Sequence, residues 1–130
     1  MHRNNYLNSP RLLEPTLQHR SQPNLFFAGQ LTGVEGYMES AAAGILAGIN
    51  AARWVKGQEL LTMSPDTMLG ALLKFITDTH QSNFQPMNAN FGLLPDLDER
   101  IRDKHVKYQR YVERSNQAMA KICEWLDGRL

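Results

Sequence analysis

The stretch GQLTGVEGYMESAAAGILAG, residues 29–48, holds too much glycine for an ordinary helix and too many apolar side chains for an ordinary loop. It follows NLFFA (24–28), a continuous apolar run entered from Pro23 and closed by Gly29, which reads as a buried strand. Near Gly36 the pattern turns helical and stays so to Lys56, with Gly57 as its stop. Ser40, Gly44, Gly48 and Ala51 or Ala52 recur on one face at three- or four-residue spacing, which lets a helix lie close to a sheet or another backbone. Strand, loop and helix form the kind of junction where α/β folds hold ligands. Gly29, Gly33 and Gly36 permit backbone angles closed to other residues and clear space for a ligand. Amides at the helix start, around residues 34–38, favour an anion or an electron-rich carbonyl. On the glycines alone two readings stand level: a cofactor cradle, or a tight turn with close helix packing. The string is not the GxGxxG pyrophosphate fingerprint.

The rest of the chain frames this unit. With 130 residues there is length for one domain or a piece of one. Fourteen Lys+Arg against thirteen Asp+Glu leave a formal charge of +1, which announces neither a nucleic-acid binder nor a membrane-surface protein. The longest apolar stretch, 41–49, is about half of a bilayer span, and MHRNNYLNSP lacks the apolar core of a signal peptide. The expectation is a cytoplasmic protein without a membrane partner. Cys123 alone excludes an internal disulfide, and its place beside Ile122 suggests a buried, inert thiol. The histidines have no partners at metal-ligand spacing, so no metal is expected.

Residues 1–23 read as irregular, with no helix beyond a turn. A second helix is expected from SPDT, capped by Ser64, to about His80. Residues 81–95 read as an ordered, packed loop. A last helix from Leu97 or Asp98 to Asp127 would dock on a seam of Ile101, His105, Tyr108, Val112, Ser115, Met119, Ile122 and Leu126. Its basic residues Arg100, Arg102, Lys104, Lys107, Arg110 and Arg114, with His2, Arg3 and Arg11, are the best RNA-facing candidates. Interleaved acids make a solvated helix face the stronger alternative for them.

FFAGQLTGVEGYMESAAAGILAGINAARW resembles the carboxyl-side flavin motif of glutathione-reductase-like flavoproteins that act on tRNA. TGVEGYMESAA, with MHRNNYLNSPRLL before it and FQPMNANFGLLP and LDERIRDKHVKY after it, is similar to the folate- and FAD-dependent tRNA (uracil-5-)-methyltransferases of the TrmFO family. The related GidA-type flavoproteins, which help install carboxymethylaminomethyl groups on anticodon uridines, carry a TTGYEEA version instead.

That resemblance implies an α/β fold: a partial FAD-binding domain over 1–57, with one strand and a helix, and a helical region over 58–130 packing on it. Helices, three in all, would dominate. It places Gly29 and Gln30 near the ribityl and pyrophosphate part of FAD, and Val34, Glu35, Gly36 and Tyr37 near the pyrimidine edge of the flavin. Ser40 and Glu39 lie close by, with a packing residue and a first-turn acid as the bland alternatives, and Tyr37 reads equally as a core aromatic. The implied reaction moves a one-carbon unit from methylenetetrahydrofolate to C5 of a T-loop uridine in tRNA, with reduced FAD as electron source and NAD(P)H reloading it. Neither the dinucleotide fingerprint nor the cysteines such enzymes use occur here, so no catalytic residue is expected in this chain, and the missing amino-terminal portion would be a partner. For RNA the expected contacts reduce to Arg102, Lys104, Lys107 and Arg110. A free-standing helical module binding RNA or protein is the reading from another class. Either way the isolated chain should expose apolar surface and be marginal or self-associating.

Overall fold

A helix-rich chain with little strand emerges in the computed structural model, which describes residues 5–129. Its helices are α1 (Ser9–Leu12), α2 (Tyr37–Val55), α3 (Met68–Ile76) and α4 (Lys104–Asp127), with 3-10 turns at Gly29–Thr32 and Phe91–Leu93. The expected strand over 24–28 is extended chain paired along one edge. Phe27 N–H donates to Leu17 O at 3.0 Å, and His19 N–H donates to Leu25 O at 2.8 Å. Only isolated bridges result, Gln18 with Phe26 and Leu13 with His19, both antiparallel. The partner segment bends too sharply for a ladder, because Leu17 sits at φ 69°. That left-handed angle costs an L-residue about 1–2 kcal/mol, which burial of the whole Leu17 side chain offsets.

α2 follows the sequence closely, starting one residue after Gly36 and ending one before Lys56. Its buried stripe is Ala43, Leu46, Ala47, Asn50 and Arg53. These meet Leu17, Val34, Leu61, Leu72, Leu73, Ile76, Phe84 and Ile122 in one core. The small-residue face does not make the expected close approach within this chain: a Cβ at Gly44 or Gly48 would find no atom within 4 Å.

α3 begins later than expected, at Met68, and ends sooner, at Ile76. Thr67, not Ser64, is its cap: the Thr67 hydroxyl accepts the Gly70 amide at 3.0 Å and donates to Ser64 O at 2.7 Å. Ser64 instead forms the preceding turn, accepting the Asp66 amide at 3.2 Å. Gly70 is where this turn lies on the helix, since a Cβ there would stand 1.8 Å from the Ser64 carbonyl oxygen. Replacing Thr67 by Ala removes both hydroxyl bonds, and the expected loss is about 1 kcal/mol, read as a fall of roughly 3–5 °C in thermal midpoint.

α4 starts at Lys104 rather than near Leu97, because the Asp103 carboxylate accepts the amides of His105 and Val106 at 2.9 and 3.2 Å and fixes the first turn there. Its docking seam is also rotated from the expected one. Ile122 of that seam is buried as expected, but before it Tyr111 and Ala118 are buried in place of Tyr108, Val112 and Met119, which are exposed. Tyr111 joins Ala71 and Leu94 in a second cluster with Met68, Phe91, Leu93 and Leu97. Arg114 turns inward to donate to the carbonyls of Pro95 and Asp96, at 2.6 and 3.1 Å. At the other end Trp125 lies between Arg53 and Arg129, 4.8 and 4.3 Å from its ring centroid, and so ties α4 to α2. Cys123 is exposed, which corrects the expectation of a buried thiol; Ile122 alone of that pair faces the core.

Candidate flavin-facing site

The glycine stretch folds as a loop pinned at several points. Gly29 takes φ 78° and opens the 3-10 turn Gly29–Thr32. The Thr32 hydroxyl donates back to Gly29 O at 2.7 Å, and the Ser9 hydroxyl donates to Thr32 O at 2.7 Å. Gly33 follows at φ 89°, ψ 11°, with its amide on Gln30 O at 3.0 Å. Beyond it the chain runs parallel to the loop at 81–95: Met87 N–H donates to Gly33 O at 2.8 Å and Glu35 N–H to Met87 O at 2.9 Å, around the bridge of Val34 with Met87. The loop is indeed ordered and packed, and Phe84 lies directly under Gly33.

Gly36, at φ 104° and ψ 146°, then launches α2. No side chain caps this end. Amides in the first turn of a helix have no intrahelical acceptor, and those of Tyr37, Met38 and Glu39 stand at the positive end of a 19-residue helix. Tyr37 is 96% exposed and joins no core within this chain. The Glu39 carboxylate curls back over Gly36, where a Cβ would meet its Oε2 at 2.2 Å.

The expected site residues therefore fall into three groups. Gly29 and Ser40 come together across the loop, a Cβ on Gly29 lying 3.9 Å from the Ser40 Cβ. Gln30, Glu35, Gly36 and Tyr37 are exposed around the helix end. Val34 and Gly33 are buried, so Val34 has only its backbone to offer a ligand. Asn88 and Asn90 are exposed; the Asn90 side-chain amide donates to Asn88 O at 3.1 Å. Asn50, which the sequence did not single out, is wholly buried toward the far end of α2, with its side-chain amide bonded to the backbone of Thr16 and Leu61.

Lys104, Lys107 and Arg110 are exposed on α4, and Arg102, also exposed, precedes it. Arg114 is committed to internal carbonyls, and His2 and Arg3 lie outside the described residues. A groove of about 410 Å³ between residues 59–66 and α4 is lined by Glu59, Leu61, Asp66, Arg114, Lys121 and Trp125. Its two acids, Glu59 and Asp66, are balanced by Arg114 and Lys121. Asp78 is held below the usual carboxylate range by the backbone amide and ring of His80, at the surface turn after α3. Among the described residues, no group of three or more His, Cys, Asp or Glu is placed to hold a metal, and no helix is long and apolar enough to cross a membrane.

The loop and helix find matches among known proteins. Residues 1–59 match the family described as glucose inhibited division protein A. The whole length is similar to curated methylenetetrahydrofolate–tRNA-(uracil-5-)-methyltransferases TrmFO: 59% identity over 126 residues to that of Syntrophomonas wolfei, covering 97% of this chain, and 54% over 130 residues to that of Lactiplantibacillus plantarum, covering 100%. The chain belongs to the TrmFO family. It spans about 29% of the length of these relatives. A solved structure of Aquifex aeolicus GidA is 39% identical, superposes with TM-score 0.50, and covers 52% of this chain and 11% of that one.

Proposed function

We propose that this chain is the carboxyl-side segment of a flavoprotein that methylates C5 of a T-loop uridine in tRNA, with residues 1–57 completing its glutathione-reductase-like FAD domain and residues 58–130 bracing them. The observation that carries this is the uncapped start of α2 beside the Gly29–Ser40 contact. These residues fit FAD: amides and a helix dipole suit an electron-rich flavin edge, and Gly29 leaves space beside the Ser40 hydroxyl for a ribityl or phosphate oxygen. When bound, FAD supplies the reducing electrons, with methylenetetrahydrofolate as the carbon source and NAD(P)H as reductant. The chain's own part is to orient the flavin, hold charge at the start of α2 and keep that loop rigid through Val34 and Met87. Exposed Arg102, Lys104, Lys107 and Arg110 offer phosphate contacts to the tRNA. The setting is the cytoplasm, where such a substrate is met.

The anticodon-modifying reading is favoured by the GidA family match and structure. The TrmFO relatives outweigh it, at 52–59% identity over most of the chain against 39% over half of it. The test is flavin binding by the complete enzyme containing this segment. Ser40→Leu should raise the FAD Kd at least about tenfold with little change in thermal midpoint of the flavin-free protein. Unchanged flavin affinity would remove Ser40 from the site.

A further inference from the structure

α4 opens on KHVKYQRYV, residues 104–112, which carries Lys104, Lys107 and Arg110 and no acid. The carboxylate just before them, Asp103, is taken up by the helix cap. Aromatic surface accompanies this charge. Tyr108 stacks on Phe91 of the second 3-10 turn, with ring centroids 4.5 Å apart and planes inclined by 17°. Phe91 in turn leans on buried Tyr111, at 6.0 Å and 45°, which fixes the stack from the core side. Tyr108 is its outer member, 38% exposed. It borders an open groove of about 370 Å³ with His105, Gln109, Val112 and Glu113, and Phe91 takes no part in that groove. The ring is therefore held on one side and free on another. Lys104, four residues before it, is its neighbour on the helix surface, and the Lys107 amine stands 6.0 Å from the centre of the Tyr111 ring.

We infer that Tyr108 is a stacking platform for an unpaired base of the RNA on which the complete enzyme acts, with Lys104 and Lys107 holding the phosphates that flank that base. A nucleotide fits because it brings a π-face and a negative charge together. A lipid surface would call for a wide apolar face, and here Val112 is the one aliphatic side chain in the groove. The inference rests on the reading of the enzyme as one that acts on tRNA, and deepens it. Phosphate contacts position an RNA without reading its bases. An exposed ring can be covered only by a base that has left its own stack. Tyr108 thus selects a looped segment, and its footing on Phe91 and Tyr111 means that little side-chain freedom is lost when the base arrives.

The test compares tRNA affinity, its salt dependence and flavin retention in the complete enzyme and in variants of it. Tyr108→Leu keeps an apolar side chain against Phe91 and removes the π-face, so the tRNA Kd should rise roughly 5- to 100-fold, with flavin retention and the slope of log Kd against log salt unchanged. Tyr108→Phe keeps the ring and should bind within about twofold of the parent. Lys104→Gln should weaken binding modestly and make that slope shallower by about 1. A Tyr108→Leu enzyme that binds tRNA like the parent overturns the inference and assigns the ring to packing or to a protein partner. So does one that loses flavin together with tRNA, or a Tyr108→Phe enzyme that fails as badly as Tyr108→Leu. A parent enzyme that retains flavin but neither binds nor methylates tRNA removes the tRNA reading itself, and the platform with it.

Discussion

Gly33→Ala is expected to destabilise the chain by about 2–5 kcal/mol, and to do so in the glycine loop that precedes α2. Two separate costs add. At φ 89° an L-residue pays about 1–2 kcal/mol for the left-handed backbone. The new methyl would also stand 2.4 Å from Cζ of Phe84, in a core where overpacking typically costs about 1–3 kcal/mol. Phe84 has no easy escape, because its ring is edge-on to Tyr6 at 5.8 Å and tilted against Phe75 at 6.5 Å. A double-mutant cycle with Phe84→Ala separates the two costs. The truncation alone should lose about 3–5 kcal/mol, and Gly33→Ala added on top should cost only its backbone share. Urea unfolding of all four proteins measures this. Strict additivity would mean that the methyl finds room and that Gly33 is needed for its angle alone. In the complete enzyme the same change should weaken flavin retention, since Gly33 O and Glu35 N–H hold the loop to Met87 immediately before α2 begins.

The glycine loop and α2 were legible in the sequence because their signals are local: three glycines each needed at positive φ, and a helix bounded by Gly36 and Gly57. Elements whose form depends on a partner were less so. NLFFA has the composition of a strand, but a ladder needs a straight neighbour, and the segment beside it turns at Leu17. α4 carries two apolar stripes. Hydropathy favoured the one through Tyr108, Val112, Met119 and Ile122, of which only Ile122 is buried, whereas the stripe that packs upstream of it runs through Tyr111 and Ala118 and includes Arg114. An arginine scores as solvent-facing in any periodicity count, and only the carbonyls of Pro95 and Asp96 turn it inward.

Asn50 is the strongest case of a residue whose role could not be read in advance, and a loss as large as that of truncating Phe84 is expected there. In sequence it is one polar residue within GINAARW; in the fold it is wholly buried and does the work of a backbone neighbour. Its Nδ2 donates to Thr16 O at 3.1 Å and Leu61 O at 2.9 Å, and its Oδ1 accepts the Leu61 amide at 2.7 Å. One side chain thus joins α2 to the amino-terminal segment and to the connector toward α3. Asn50→Leu is nearly equal in volume but leaves one N–H and two carbonyls without partners. At about 1–3 kcal/mol for each stranded buried group, and with some relief from entering water, the loss should be about 3–5 kcal/mol. Asn50→Asp tests whether hydrogen bonding rather than packing is at stake. Its carboxylate can still accept the Leu61 amide but would face two carbonyl oxygens, so burial and repulsion raise its folded pKa above the roughly 3.9 of an unfolded Asp. A raised folded pKa means that the folded state binds the extra proton. The stability it confers is therefore full below about pH 3.9 and is lost as pH rises through the folded value. The gap in stability between Asn50→Asp and the parent should accordingly be narrower at pH 4.5 than at pH 8, whereas Asn50→Leu should show a gap that does not change. A constant gap for both variants would mean that Asn50 fills space and the three hydrogen bonds contribute little.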